Sequence, residues 1–267
     1  MLTVPASLAM SRWTSASRTS GRGGDCGETV KGTPGRTMSM LSAYGGSTAR
    51  INARFCLVML LLAAWIVPAA AQSPPVRLAV LGDSLAAGYG LKPELGFTAR
   101  LEAALRARGR AVEVLNHGVS GDTTAGGVER IDWMLGDKPD IVLIELGAND
   151  ALRGLDPAEA ERNLDRAVVR LKQAGVAVWL AGMLAPRNFG PEYAGRFDPL
   201  YGRLASRHDV PLYPFFLDGV AQVPDLNQPD GIHPNARGVE VMVDRILPFV
   251  LQQLDSHAAS VRRPARP

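Results

Sequence analysis

Five short apolar runs punctuate the chain between residues 76 and 216, and the segments between them carry apolar residues at helical rather than alternating spacing. Val76–Leu81, Val112–Leu115, Ile141–Leu146 and Val176–Leu180 read as buried strands, because they are short, continuous and rich in aliphatic and β-branched residues. Leu212–Phe216 is a weaker fifth, interrupted by Pro214 and so expected at a sheet edge. Residues 94–108 place Phe97, Leu101, Ala104 and Leu105 on one helical face. Asp156-Pro157-Ala158-Glu159 has the form of an N-cap, a first-turn proline and a capping-box acid. The helix it opens turns Leu164, Val168 and Leu171 inward and stops at Gly175. A last helix is expected from Ala236 to Leu254, kinked at Pro248, followed by a disordered tail over 257–267. Strands alternating with helices predict a parallel sheet covered on both faces, with ligands bound outside the carboxyl ends of its strands.

Upstream of the first strand the pattern changes. Residues 1–49 are rich in Ser, Thr, Gly and Arg without apolar periodicity. They are expected to be a disordered extension or a gene-model artefact, with translation starting at Met38 or Met40. Residues 50–71 combine Arg50 and Arg54, a 13-residue apolar run from Phe55 to Val67, and Ala69-Ala70-Ala71 before Gln72. That is the shape of a secretory signal peptide, too short to span a bilayer and leaving no stable membrane insertion after cleavage. The domain is therefore expected over residues 72–256, exported to the periplasm or secreted.

Charge follows the same division. Residues 1–71 hold 7 Lys and Arg against 2 Asp and Glu, a net of +5, and the remainder 22 against 24, a net of −2, so the basic balance belongs to the leader. Nothing in the domain calls for a nucleic-acid partner. Both cysteines, Cys26 and Cys56, precede the expected cut, which leaves the mature chain without disulfides or thiol chemistry.

Candidate chemistry sits where strands end. The run "LAVLGDSLAAGYG" (78–90) stops at Gly82-Asp83-Ser84 and passes into helical composition, a corner at which Ser84 can stand exposed beside backbone N–H groups. A serine hydroxyl needs a base. Of the four histidines, His257 lies in the tail and His208 ends a polar helix, so solvated roles fit both. A direct role for His117, beside Gly118, stays open at this point. His233 follows Asp230 by three residues in a Gly- and Pro-containing loop, so one loop can deliver both the base and the carboxylate that orients its ring. Asp83 and Asp150 would oppose a developing oxyanion, and both read as structural acids that hold loops, with Arg153 pairing one of them. One such histidine and scattered acids do not form a metal set, and no GxxxxGK[ST] phosphate loop occurs, so neither metal nor cofactor is implied.

Taken in order, "GDSL" (82–85), "NHGVSGDT" (116–123), "LGANDALRG" (146–154) and "DGIHPNARG" (230–238) resemble the SGNH hydrolases, the GDSL esterase/lipase family, over nearly the whole mature chain. They are most similar to its bacterial periplasmic arylesterase, acyl-CoA thioesterase I and lysophospholipase I group. The resemblance implies a three-layer α/β/α sandwich around a mainly parallel five-stranded sheet, flavodoxin-like. It also implies a Ser84–His233–Asp230 triad. It assigns the oxyanion donors to the N–H groups of Ser84 and Gly118 and the amide of Asn149. The expected substrate is a small ester or thioester with an apolar acyl or aryl group, with carbohydrate O-deacetylation as the alternative on the same scaffold. Leu155, Met183, Leu184, Phe189 and Tyr193 are the candidates to line its pocket.

Overall fold

The computed structural model describes residues 74–262. The expected extension and signal peptide, and the last five residues, lie outside the described residues. β1 (Val76–Gly82) pairs with β2 (Val112–Gly118) on one side and β3 (Ile141–Glu145) on the other. β4 (Ala177–Ala181) follows β3, and β5 (Leu212–Tyr213) closes the edge, so the all-parallel order is β2-β1-β3-β4-β5. Leu78–Leu81 and the whole of β3 are buried, which is why both read as unbroken apolar runs rather than alternating ones. β2 is three residues longer than its apolar pattern predicts, because Asn116, His117 and Gly118 stay in register with Val80, Leu81 and Gly82. β5 keeps only two residues and ends before Pro214, which lacks the N–H to extend a ladder.

The helices are α1 (Ser84–Ala87), α2 (Phe97–Ala107), α3 (Thr124–Glu129), α4 (Ile131–Leu135), α5 (Ala148–Leu152), α6 (Pro157–Gln173), α7 (Gly190–Phe197), α8 (Leu200–His208) and α9 (Ala236–Arg262). α2 packs with α9, while α3 and α8 each pack on α6. Phe97, Leu101 and Leu105 are fully buried, as are Leu164, Val168 and Leu171 on α6. Asp156 caps α6 through the N–H of Ala158, but Glu159 turns outward to Arg162 instead of completing a capping box. Glu161 and Asp165 of α6 meet Arg203, Arg207 and His208 of α8, so His208 is held by an ion-pair network rather than merely solvated.

One boundary needs correction. α9 does not stop near Leu254; it continues through His257 to Arg262. Ala258, Ala259 and Arg262 are good helix formers, and Asp255 is anchored by Arg110, so the polar composition marks an exposed helix end and not a tail without structure. Among the described residues no helix is long and apolar enough to cross a membrane.

The strand order reverses at β1, with β2 on one side and β3 on the other. Loops leaving the carboxyl ends of these neighbours diverge there and open a crevice. That crevice holds the chemistry.

Candidate active site

Asp83 follows β1 and caps α1, its Oδ1 accepting the N–H of Leu85 at 3.0 Å. Ser84 is thus the first residue of a helical turn. Its own N–H has no acceptor among the described residues. The loop before α9 brings the base: His233 Nε2 lies 3.0 Å from Ser84 Oγ, and His233 Nδ1 lies 2.7 Å from Asp230 Oδ2. Asp230 Oδ1 also accepts the N–H groups of Ile232 and His233, each at 3.0 Å. These donors, led by the His233 ring, hold the Asp230 carboxyl down at about 2, so it is ionised at neutral pH and favours the tautomer with its proton on Nδ1. Tyr89 packs against the His233 ring with centroids 4.5 Å apart. Gln228 ties the same loop to the Tyr89 carbonyl at 2.7 Å.

The donors around Ser84 depart from expectation at one position. Gly118 does not reach the crevice: its N–H donates to Asn116 Oδ1 at 2.9 Å. A Cβ there would stand 2.2 Å from the Ala87 nitrogen, so Gly118 is a close-packing glycine beneath α1. Gly121 lies at the crevice instead. With φ of +82° it turns the loop back and lines the crevice beside Ser84 and Asn149, and its N–H has no acceptor among the described residues. Asn149 donates from Nδ2 to Asp83 Oδ2 at 3.0 Å, which fixes the plane of its amide. Burial pushes the Asp83 carboxyl up to about 6, against the pull of Leu85 and Asn149. Asp150 accepts from the N–H and hydroxyl of Thr124 at 2.9 and 2.6 Å and so fastens the start of α3. Arg153 pairs with neither acid but donates to the Gly121 carbonyl at 2.8 Å.

Ser84, His233, Gly121 and Asn149 open onto a cavity of about 800 Å³. Leu152, Met183, Leu184, Phe215, Leu217 and Ile232 form its apolar walls. Met183 and Leu184 therefore line it as expected, whereas Leu155, Phe189 and Tyr193 do not. Tyr193 is buried with its hydroxyl on the Leu155 carbonyl at 2.8 Å, and Phe189 leans on Tyr193 with ring centroids 5.4 Å apart. This aromatic pair braces the loop; it does not face the cavity.

The profile of the GDSL-like lipase/acylhydrolase family matches residues 80–241, which contain every one of these groups. The chain belongs to that family. It is 39% identical over 194 residues to an esterase named TesA from Pseudomonas aeruginosa, an alignment covering 72% of this chain and 93% of the relative. It is 36% identical over 181 residues to thioesterase 1/protease 1/lysophospholipase L1 of Escherichia coli, covering 67% and 85%. The crystal structure of AlinE4, an SGNH-hydrolase family esterase, superposes with a TM-score of 0.58 at 45% identity, covering 68% of this chain and 98% of that one.

Two groups near this SGNH site escape sequence reasoning. Glu145, at the end of β3, accepts the Asp83 N–H at 3.2 Å and is fully buried with Oε1 unpartnered. Burial, and then the nearby Asp83 carboxyl, raises its pKa well above the usual carboxylate range. Its only signal in the sequence is an acid inside an apolar strand. Arg130 is the second, and nothing in its local sequence marks it. His117, by contrast, is resolved as structural. It is buried against Trp133, with Nε2 3.2 Å from Asp137 Oδ2 but not aligned as a hydrogen bond, and burial lowers its pKa.

Proposed function

We propose that this chain is a serine hydrolase that cleaves carboxylic esters or thioesters of apolar acids through an acyl-enzyme intermediate. The observation that carries the reading is the hydrogen-bonded Ser84–His233–Asp230 chain, whose Ser84 and His233 line an apolar-walled cavity. Ser84 Oγ attacks the substrate carbonyl carbon as His233 Nε2 takes its proton, and the ring's positive charge is balanced by Asp230. The carbonyl π electrons move to oxygen, and the oxyanion is met by the N–H groups of Ser84 and Gly121 and by the Asn149 amide. Collapse breaks the bond to the leaving oxygen or sulfur, which takes the proton from His233. A water then repeats the sequence on the acyl-Ser84 ester, with His233 as base, and frees the acid and the serine. Asn149 suits the oxyanion role because Asp83 occupies one side of its amide and the cavity the other.

The names of the relatives, an esterase and a thioesterase/lysophospholipase, support this substrate class. Carbohydrate O-deacetylation finds less support, since the walls offer aliphatic surface where a glycan presents hydroxyls. Paired p-nitrophenyl acetate and octanoate assays test the choice: kcat/KM at least equal for octanoate is expected, and turnover of acetate alone overturns it. The leader-like composition of residues 50–71 supports export. A chain starting at Gln72 is then expected to be folded and active, and an inactive one beside an active full-length chain contradicts that assignment.

A further inference from the structure

Arg130 stands between α3 and α4 with its side chain 15% exposed, and its guanidinium ties together three separate pieces of the site. Nη2 donates to the carbonyl of Gly82 at 2.7 Å, Nη1 to the carbonyl of His117 at 2.6 Å, and Nε to Asp122 Oδ2 at 2.7 Å. Gly82 ends β1 two residues before Ser84, and His117 is the last residue but one of β2, before its loop begins. Asp122 directly follows Gly121, on a loop also held by Val119 N–H to the Gly82 carbonyl at 3.1 Å, Asp122 N–H to the Val119 carbonyl at 3.0 Å and Arg153 to the Gly121 carbonyl at 2.8 Å; of these side chains only Arg130 also reaches β1. One rigid group thus spans the end of the strand that leads to Ser84 and the loop that carries Gly121.

We propose that Arg130 is a positioning residue for the oxyanion donors, setting the Gly121 N–H against the Ser84 N–H. The inference rests on the serine-hydrolase reading and adds to it. The physical reason is the shape of the group. A guanidinium holds its N–H donors in one plane at fixed angles, so three acceptors bound in three directions are fixed relative to one another. A lysine ammonium keeps the charge but is a point donor on a flexible stem and cannot hold all three. Both members of the Arg130–Asp122 pair are largely shielded from water, at 15% and 13% side-chain exposure, so the contact is not a mobile surface pair. Two of the three proposed oxyanion donors hang from backbone, and backbone donors keep their geometry only as well as their loops are held.

The test is Arg130→Lys in the full-length chain. Four readouts are compared with wild type: Tm, the fraction of Ser84 that reacts in active-site titration, kcat and KM on a p-nitrophenyl ester, and Ki for an alkylboronic acid. The boronic acid bonds to Ser84 Oγ and becomes a tetrahedral anion, so it reports the donors directly. The expected result is kcat per titrated site lowered about 10–100-fold, the scale of a small misplacement of catalytic groups, with KM within about threefold. Boronate affinity falls by a similar factor. Combining Arg130→Lys with Asn149→Ala is expected to cost less than the product of the two losses, since both act on one oxyanion.

A lowered Tm with kcat per titrated site and boronate affinity unchanged would make Arg130 a structural brace only and overturn the proposal. So would a loss of kcat with boronate affinity intact. Should Arg130→Lys fail to fold, Asp122→Asn is measured instead, with a loss of about 3–10-fold in both quantities expected from weakening one charge-assisted bond; no loss overturns the proposal. A wild type that neither labels at Ser84 nor hydrolyses esters would instead refute the underlying hydrolase reading.

Discussion

Asn149→Ala separates binding of the oxyanion from support of the fold, and the structure sets the size of both effects. The substitution removes an amide that lines the cavity and donates to Asp83 Oδ2 at 3.0 Å. Loss of one oxyanion donor lowers kcat by about 10²–10³, or roughly 3–4 kcal/mol, while KM changes little because the bond strengthens only as charge develops. The second effect falls on Asp83, which is 1% exposed and keeps only the Leu85 N–H as a donor. Leaving one oxygen of a buried carboxylate without its donor costs about 1–2 kcal/mol, or about 2–8 °C in Tm for a domain of this size. The two effects differ in pH dependence. Asn149 favours the charged form of Asp83, so its removal raises a pKa that already stands at about 6. An acid whose folded pKa is raised is favourable to folding below its unfolded value and loses that contribution as pH rises through the folded one. The Tm deficit of Asn149→Ala is therefore expected to be larger at pH 8 than at pH 5. Calorimetry at both pH values, with kcat and KM per titrated active site, checks each part. A kcat within tenfold of wild type per active site would refute the oxyanion assignment, and equal Tm deficits at the two pH values would refute the charged Asp83–Asn149 bond.

Asp230→Asn keeps a carbonyl oxygen for the N–H groups of Ile232 and His233 but turns an N–H toward His233 Nδ1, so the ring carries its proton on Nε2 and cannot accept one from Ser84. A loss of about 10⁴ in kcat is expected, roughly 5 kcal/mol, with Tm nearly unchanged because Asp230 is exposed; a loss under tenfold contradicts the relay. Glu145→Gln replaces a buried acid whose pKa lies well above its ordinary 4.5, so the wild type loses stability as pH rises from that value upward. The fall in Tm between pH 5 and pH 8 is expected to be smaller in the variant, and an equal fall would show that Glu145 does not titrate in the fold.

How much of this was legible in the sequence depends on whether the deciding contact is local. The strands announced themselves because β1 and β3 are buried on both faces, which leaves unbroken apolar runs. Asp230 and His233 were legible because they share a loop and their hydrogen bond spans three residues. Which glycine reaches the cavity was not, since "NHGVSG" offers two glycines and only loop shape separates them. Gly118 stays in the β2 ladder under α1, while the turn closed between Val119 and Asp122 carries Gly121 to the cavity. Phe189 and Tyr193 misled because an aromatic in a loop near the site can brace the loop as well as face the ligand. Arg130 was beyond local reading, because its carbonyl partners lie 13 and 48 residues away and a backbone carbonyl leaves no mark in composition. The same holds for the end of α9, where a polar sequence hides a helix anchored by Arg110, 145 residues distant.

The most direct test of the central claim is covalent labelling of Ser84 by an alkyl fluorophosphonate, read by intact mass and by the modified peptide. Attack by Ser84 Oγ forms the O–P bond and expels fluoride, using the same relay as ester hydrolysis. The expected result is one adduct per chain, on Ser84, with ester hydrolysis lost in proportion to labelling. Ser84→Ala should take up no label, and His233→Ala should label at least about a thousandfold more slowly. Full inactivation with Ser84 unmodified, or a Ser84→Ala enzyme that keeps more than about a thousandth of wild-type turnover, would contradict the account.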